Sequence, residues 1–299
     1  MTELQRTGDP LLLRRSAPDI AIVERRRWFF RHPAAIRVTH WVNVLCFILL
    51  LLSGYQIFNA HPALYWGERS DGERAVLAMR AERTPRGTLK GITHVFGRDF
   101  DTTGVLGASR DGALGIQDRG FPNWATLPGH QWLAMGRRWH FFFAWAFVLN
   151  GLAFAGYAVL GRHLSRDLMP SGPELRAIGR ALRDHLLFRF HHGAAADRYN
   201  VLQKLAYASI IFVAAPLLVL TGLAMSPRVD AAIPALPAVF GGRQSARTLH
   251  FLLTLGLIAF TAVHLFMVLV TGFWNNVRSM ILGWYRLSSG GPDEDSSAT

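Results

Sequence analysis

Four stretches of the chain, residues 38–58, 139–160, 205–223 and 249–273, contain no Asp, Glu, Lys or Arg. Each is dominated by Leu, Phe, Val, Ala and Ile, and each is long enough as a helix to cross a hydrocarbon layer of about 30 Å. Polar, charged sequence separates them, so the pattern predicts four spans joined by two long loops (59–136 and 161–204) and one short connection. The first 37 residues and the 161–204 loop are rich in arginine, whereas 59–136 carries nine Lys/Arg against eight Asp/Glu. Basic excess marks the cytoplasmic side of a span. The expected fold is therefore an all-α integral membrane protein, a four-transmembrane-helix bundle with cytoplasmic N- and C-termini and a periplasmic 59–136 loop.

The intervening segments have their own signals. Residues 1–37 lack an apolar stretch of the signal-peptide kind after Arg14-Arg15, and serve as the basic cytoplasmic flank of an uncleaved first span. The 59–136 loop is rich in Gly and turn residues. Within 161–204, Leu175, Ile178, Leu182 and Leu186 fall on one side of a helix and Arg176, Arg180 and Arg183 around the other, as in an amphipathic helix lying on the inner leaflet. The Gly/Ser-rich, acidic 274–299 segment reads as a disordered cytoplasmic tail.

With 51% hydrophobic and 17% charged residues among 299, the chain is too apolar for an ordinary soluble domain, and lipid is its first partner. The net charge of +12 sits beside the spans, where topology explains it, so nucleic acid is not an expected partner. The lone Cys46 excludes a disulfide framework and a thiolate metal cluster, and the absence of C-x-x-C-H argues against covalently attached haem. No hydrolytic triad, no H-E-x-x-H, no phosphate-cradling glycine motif and no internal repeat is evident.

The chemistry lies in the histidines. His250 and His264 sit 14 residues apart on the fourth span, roughly 21 Å along the axis and on nearly the same helix face. Neutral imidazole is a common axial ligand of haem iron, and an ionisable residue inside a membrane helix defaults to a functional reading. Under the expected topology His40 opens an outward-running span at the inner surface, and His140 opens an inward-running one at the outer surface. His40 and His264 thus share the inner depth, and His140 and His250 the outer. A hydrogen-bonded structural role is the competing account of any one of them. All four at two matched depths predict two bis-histidine b-type haems, with these four residues as the metal ligands. Arginines near the two levels, Arg31 and Arg37 at the inner and Arg137, Arg138, Arg243 and Arg247 at the outer, are candidates for pairing with haem propionates, with positive-inside flanking an equal account of the inner set.

The motifs now assembled resemble a known family. Arg37-Val38-Thr39-His40-Trp41 at the head of the first span, with two histidines 14 apart on the fourth, resembles the four-helix di-haem cytochrome b subunits of formate dehydrogenases, nickel–iron hydrogenases and thiosulfate reductases. The segment Tyr199-Asn200-Val201-Leu202-Gln203-Lys204 is similar to the Y-N-x-G-Q-K of the formate dehydrogenase cytochrome, with Leu202 in place of the glycine. That resemblance implies quinone contacts at Asn200 and Gln203, although Asn200 can equally be a cap for the third helix. The stretch from FGRDFDTTGVLG through FPNWATLPGHQWLAMGRRWHFFFAW resembles cytochrome b/b6-domain proteins that accompany periplasmic molybdopterin oxidoreductases. The resemblance implies an inner-membrane electron-transfer subunit between the quinone pool and a periplasmic partner, with homo-oligomers left open. A stand-alone superoxide:quinone oxidoreductase and a haem-poor membrane anchor are the alternatives.

Overall fold

The computed structural model describes residues 27–161 and 201–287, with isolated positions between 172 and 183. Four long apolar helices dominate it: α1 (Ala34–Phe58), α2 (Leu133–Leu160), α3 (Val201–Ala224) and α4 (Arg243–Val270). Each begins several residues before an expected span; the first three contain theirs whole, whereas α4 stops at Val270, short of the expected 273, because the chain turns at Gly272. Hydropathy marks where lipid can lie, whereas intrahelical hydrogen bonding continues into the polar turns that carry Arg37, Arg137, Arg138, Arg243 and Arg247. The amphipathic stretch expected around Leu175 to Leu186 lies mostly outside the described residues.

The helices wear their apolar side chains outward. Phe142, Trp145, Leu149 and Leu152 of α2 are 63–67% exposed, the arrangement that a lipid solvent rewards and water penalises. Inside α3, Ile210–Ala214 forms a π-turn just before Pro216. Proline removes a backbone donor, and the wider turn locally re-registers the helix without breaking it.

The expectation of an all-α protein is not met. The 59–136 segment folds as a β-rich cap in which β2 (Ala63–Leu64), β3 (Leu77–Arg83), β4 (Leu89–Val95) and β5 (Arg98–Asp101) form an antiparallel sheet in that order. A second ribbon pairs β6 (Ala108–Arg110) with β7 (Ile116–Asp118). These strands are short and separated by Gly-bearing turns, so their alternation is too brief to stand out beside 20-residue spans. Packing of the ribbon on the sheet requires glycine at position 91, where a Cβ would lie 2.2 Å from the Leu106 carbonyl oxygen.

The cap is bolted to the helix ends rather than tethered to them. Asn59, just past α1, pairs both ways with the Phe121 backbone, donating from Nδ2 at 3.0 Å and accepting at Oδ1 at 2.6 Å. Phe121 stacks on Tyr55 with ring centres 3.9 Å apart. Phe58, Leu64 and Met79 form the buried apolar cluster, with Phe251 of α4 packed against it. The exposed N–H groups of α4's first turn are satisfied by the cap: the Gly67 carbonyl accepts from Gln244 and Ser245, each at 3.1 Å.

The opposite end is closed by the segments that flank α1 and α4. After Gly272, at φ 110°, the chain turns into α5 (Phe273–Leu282), then β8 (Trp284–Leu287), which pairs antiparallel with β1 (Arg27–Phe30). The disordered tail expected from residue 274 is therefore corrected as far as Leu287. Its apolar Phe273, Trp274, Met280 and Ile281 alternate with Asn275, Asn276 and Arg278 at helical spacing, a signal that the acidic end of the chain obscured. The Trp41 indole donates to the Met280 carbonyl at 3.0 Å, which fastens this end to α1.

Candidate haem sites

The bundle brings the four span histidines together as two pairs. At the cap end the rings of His140 on α2 and His250 on α4 stand 6.3 Å apart between centres. At the other end His40 on α1 and His264 on α4 stand 6.4 Å apart. Two metal–imidazole bonds of about 2 Å, plus half a ring on either side, add to about 6 Å, so each pair has the separation of two axial ligands sharing one iron.

The cap-end pair is also oriented for that task. The Nδ1 of His140 lies 3.1 Å from the Leu50 carbonyl oxygen and 3.2 Å from Ser53 Oγ. The Nδ1 of His250 lies 3.1 Å from the Leu218 carbonyl oxygen and 3.1 Å from Thr221 Oγ1. A carbonyl only accepts, so Nδ1 carries the proton in both rings and Nε2 keeps its lone pair for a metal. The hydroxyls donate back into their own helices, Ser53 to the Leu49 carbonyl at 2.5 Å and Thr221 to the Leu217 carbonyl at 2.6 Å. Each then has a lone pair left for the imidazole. Gly54 and Gly222 follow the two hydroxyls, and a Cβ at either would sit 3.4–3.5 Å from the adjacent imidazole Cε1. The ring edge is met by bare backbone on both sides.

Sequence analysis did not single out Ser53-Gly54 and Thr221-Gly222 as the groups that orient these rings. The signal was a local repeat: Leu50-x-x-Ser53-Gly54 on α1 matches Leu218-x-x-Thr221-Gly222 on α3. Likewise Arg137-x-x-His140 on α2 matches Arg247-x-x-His250 on α4. The α1/α2 and α3/α4 helix pairs thus present the same orienting set to the two cap-end rings. Thr221→Val, isosteric and without the oxygen, is expected to weaken haem retention at this level by about tenfold. That is the low end for an orienting partner, because the Leu218 carbonyl remains. Haem loss to apomyoglobin, followed optically, measures it.

The second pair is framed differently. His264 stacks on Phe260 at 6.0 Å, and His40 meets Trp41 edge-on at 5.3 Å. The His40 Nδ1 is buried without a hydrogen-bond partner among the described residues. Nearby, Asn150 of α2 donates to the Thr39 carbonyl at 2.9 Å and to Asn43 Oδ1 at 2.8 Å, which holds α2 against the first turns of α1.

Of the other expected site residues, Arg37 donates from Nη1 to the Ile281 carbonyl, in the contact between α1 and α5. Arg138 is exposed at the cap end. Gln203 lies in the first turn of α3, and Asn200 falls outside the described residues. No group of three or more His, Cys, Asp or Glu forms a metal cage among the described residues, which leaves paired imidazoles as the donor sets.

Comparison with known proteins agrees with this donor chemistry. A family model described as prokaryotic cytochrome b561 matches residues 31–283, nearly all of the described chain. The putative protein-methionine-sulfoxide reductase subunit YedZ1 of Azospira oryzae is 28% identical over 239 residues, covering 79% of this chain and 89% of that protein. The probable Ni/Fe-hydrogenase B-type cytochrome subunit of Rhodobacter capsulatus is 36% identical over 53 residues, 18% of this chain and 20% of that protein. Helices able to cross a membrane four times, paired imidazoles between them and a match over residues 31–283 converge on one conclusion: the chain belongs to the prokaryotic cytochrome b561 family, bacterial membrane proteins that bind b-type haem and transfer electrons.

Proposed function

We propose that this chain is an inner-membrane electron relay with two bis-histidine b-type haems, one held by His140 and His250 near the periplasm and one by His40 and His264 near the cytoplasm. The observation that carries the reading is the pair of near-equal ring separations, 6.3 and 6.4 Å, at two levels of one bundle. The two ligands on α4 are 14 residues apart, so the levels lie roughly 21 Å apart along it. When bound, the haems supply one-electron redox chemistry across the membrane. The chain's own residues orient the imidazoles, exclude water with their apolar outer faces, and set the spacing.

In this reading the termini are cytoplasmic and the β-rich cap is periplasmic. Electrons exchange with quinone at the inner level, near Asn200, Gln203 and His264. A soluble oxidoreductase, of the molybdopterin class, docks on the cap. An oxidoreductase partner is supported by the relative whose name makes it a putative subunit of a protein-methionine-sulfoxide reductase; the molybdopterin class rests on the resemblance of the 59–136 segment. The cap supplies a fitting anchor: Phe96, at the tip of the β4–β5 hairpin, is 81% exposed and held at φ 47°. A bulky side chain in the left-handed region is strained, and such strain concentrates at functional surfaces. Arg37 and Arg138 serve as cationic flanks for the two levels.

Pyridine haemochrome on the purified protein is expected to give two b haems per chain, and one in each of His140→Ala and His264→Ala. A wild-type protein with one haem or none would end the relay reading.

A further inference from the structure

Beyond the four ligands, a pocket of about 420 Å³ opens on the cap end of the bundle, between the start of the cap and the facing ends of α3 and α4. Its lining is His61 and Ser70 from the cap, Met225 from the end of α3, and Arg243, Gln244 and Arg247 from the first turns of α4. These are the helix segments that build half of the cap-end histidine site. Met225 lies one turn beyond Gly222, which faces His250, and Arg247 and Arg243 precede His250 by three and seven residues on its own face. The pocket therefore lies immediately outward of the His140/His250 level, on the same helix face.

Its chemistry is that of an anion receptor. Arg247 is held rather than free: it donates from Nη2 to the His61 carbonyl, and its guanidinium lies over the Phe58 ring at 5.3 Å. Among the described residues no carboxylate lies within ion-pair distance of Arg247 or Arg243, and most of the five donors on each guanidinium remain to be matched. Glu68 at the rim is the nearby acid, and it accepts the Arg243 backbone N–H at 3.3 Å. The Gln244 Oε1 is buried with no hydrogen-bond partner among the described residues. An amide's oxygen and nitrogen are interchangeable in position, so the reversed orientation presents two N–H donors to a ligand there. Arg137 repeats the Arg-x-x-His spacing on α2, but it is exposed and lies over Phe141 at 5.6 Å.

We infer that the pocket of Arg247, Arg243 and Gln244 binds a carboxylate beside the cap-end iron site. The planar fork of Arg247 matches a carboxylate bidentately, and burial against Phe58 strengthens the pair. Two sources carry that group: a propionate of the haem held by His140 and His250, or a small soluble carboxylate entering through the open side. The inference rests on the proposed haem ligation. A cation fixed here offsets the carboxylate's negative charge, so its removal disfavours the reduced iron.

Optical redox titration of the detergent-purified holoprotein tests this, with wild type, Arg247→Gln, Arg243→Gln and Arg247→Lys titrated in carboxylate-free buffer and again with added sodium formate. In Arg247→Gln one haem is expected to shift toward its oxidised form by about tenfold at fixed ambient potential, ~59 mV for a one-electron couple. Arg247→Lys recovers part of the shift, because it keeps the charge and loses the fork. A shift in carboxylate-free buffer that disappears when the protein is reconstituted with haem dimethyl ester, with wild type indifferent to formate, identifies a propionate. A saturable response of wild type to formate, absent from Arg247→Gln, identifies a soluble carboxylate. Two haems per chain with unchanged potentials in all variants and both buffers would overturn the carboxylate site and leave the relay intact. A wild-type protein without haem would instead overturn the ligation beneath it.

Discussion

Arg119→Ala is expected to unfold the cap while the four helices and the His40/His264 pair persist. Arg119 is the largest fully buried side chain of the described protein, and its guanidinium ties the cap's second half together. It donates to the Phe121 carbonyl at 2.8 Å, to Thr126 Oγ1 at 3.0 Å and to the Gly129 carbonyl at 2.9 Å. It also pairs with Asp111 at 3.0 Å, the two side chains being 0% and 16% exposed. Burial pulls its pKa below the usual arginine value and Asp111 opposes the shift, so the group stays charged. Truncation leaves the Asp111 carboxylate without its cation, held only by Asn123 Nδ2, and takes one donor each from Thr126 Oγ1 and the Phe121 and Gly129 carbonyls. Breaking a buried pair from one side costs roughly 3–5 kcal/mol, comparable to the whole stability of a small folded unit. Phe121 also holds Asn59 and stacks on Tyr55, so the loss reaches the end of α1. Hydrogen exchange should show β2–β7 losing protection together with the cap-end turns of α1, and α4 beyond His264 unchanged. Full protection of the sheet in this variant would remove Arg119 from its organising role.

The second large effect separates the histidine pairs from each other. If His40 and His264 hold one haem, His40→Ala/His264→Ala should bind as much haem as either single variant, because the second substitution removes a ligand from a site already lost. His140→Ala/His264→Ala, one ligand from each pair, should bind none. His250→Ala/His264→Ala should also bind none, since α4 carries one ligand of each pair. Such non-additivity within a pair and additivity between pairs is the behaviour of two independent two-ligand units. Haem per chain, with low-temperature spectra of the α-band to distinguish the two levels, reads it directly. A His40→Ala/His264→Ala protein that lost both haems would show that the two levels do not assemble independently.

The cap and the bundle do different physical work, which explains why they read so differently. Lipid solvates the outward faces of α1, α2 and α4, and the histidine rings pair across the interior; the apolar cluster of Phe58, Leu64 and Met79 lies where the bundle meets the cap. The cap is an aqueous fold with a sheet, a buried ion pair and glycines at close approaches. Its contacts reach both α1, through Asn59, and α4, through Gly67. It therefore fixes α1, whose Leu50 and Ser53 orient His140, relative to α4, which carries His250.

By itself the sequence determined the four apolar helices, the level of each histidine along the bundle and the histidine that each would face. Those follow from local quantities: the length of an uncharged stretch against the thickness of a bilayer, and a helical rise of fixed size. It did not determine the strands of 59–136, whose runs are as short as two residues and whose burial depends on packing between sheet, ribbon and helix ends. Nor did it reveal α5 and β8, because β1 is their partner from the far end of the chain. The imidazole tautomers at the cap end were likewise settled by tertiary contact. Leu50 and His140 are 90 residues apart, and Leu218 and His250 are 32 apart. A hydrogen bond between neighbouring helices has no local signature beyond a small hydroxyl followed by glycine. The carboxylate pocket belongs to the same class, since Arg247 acquires its neighbours His61 and Met225 only when the cap closes on the ends of α3 and α4.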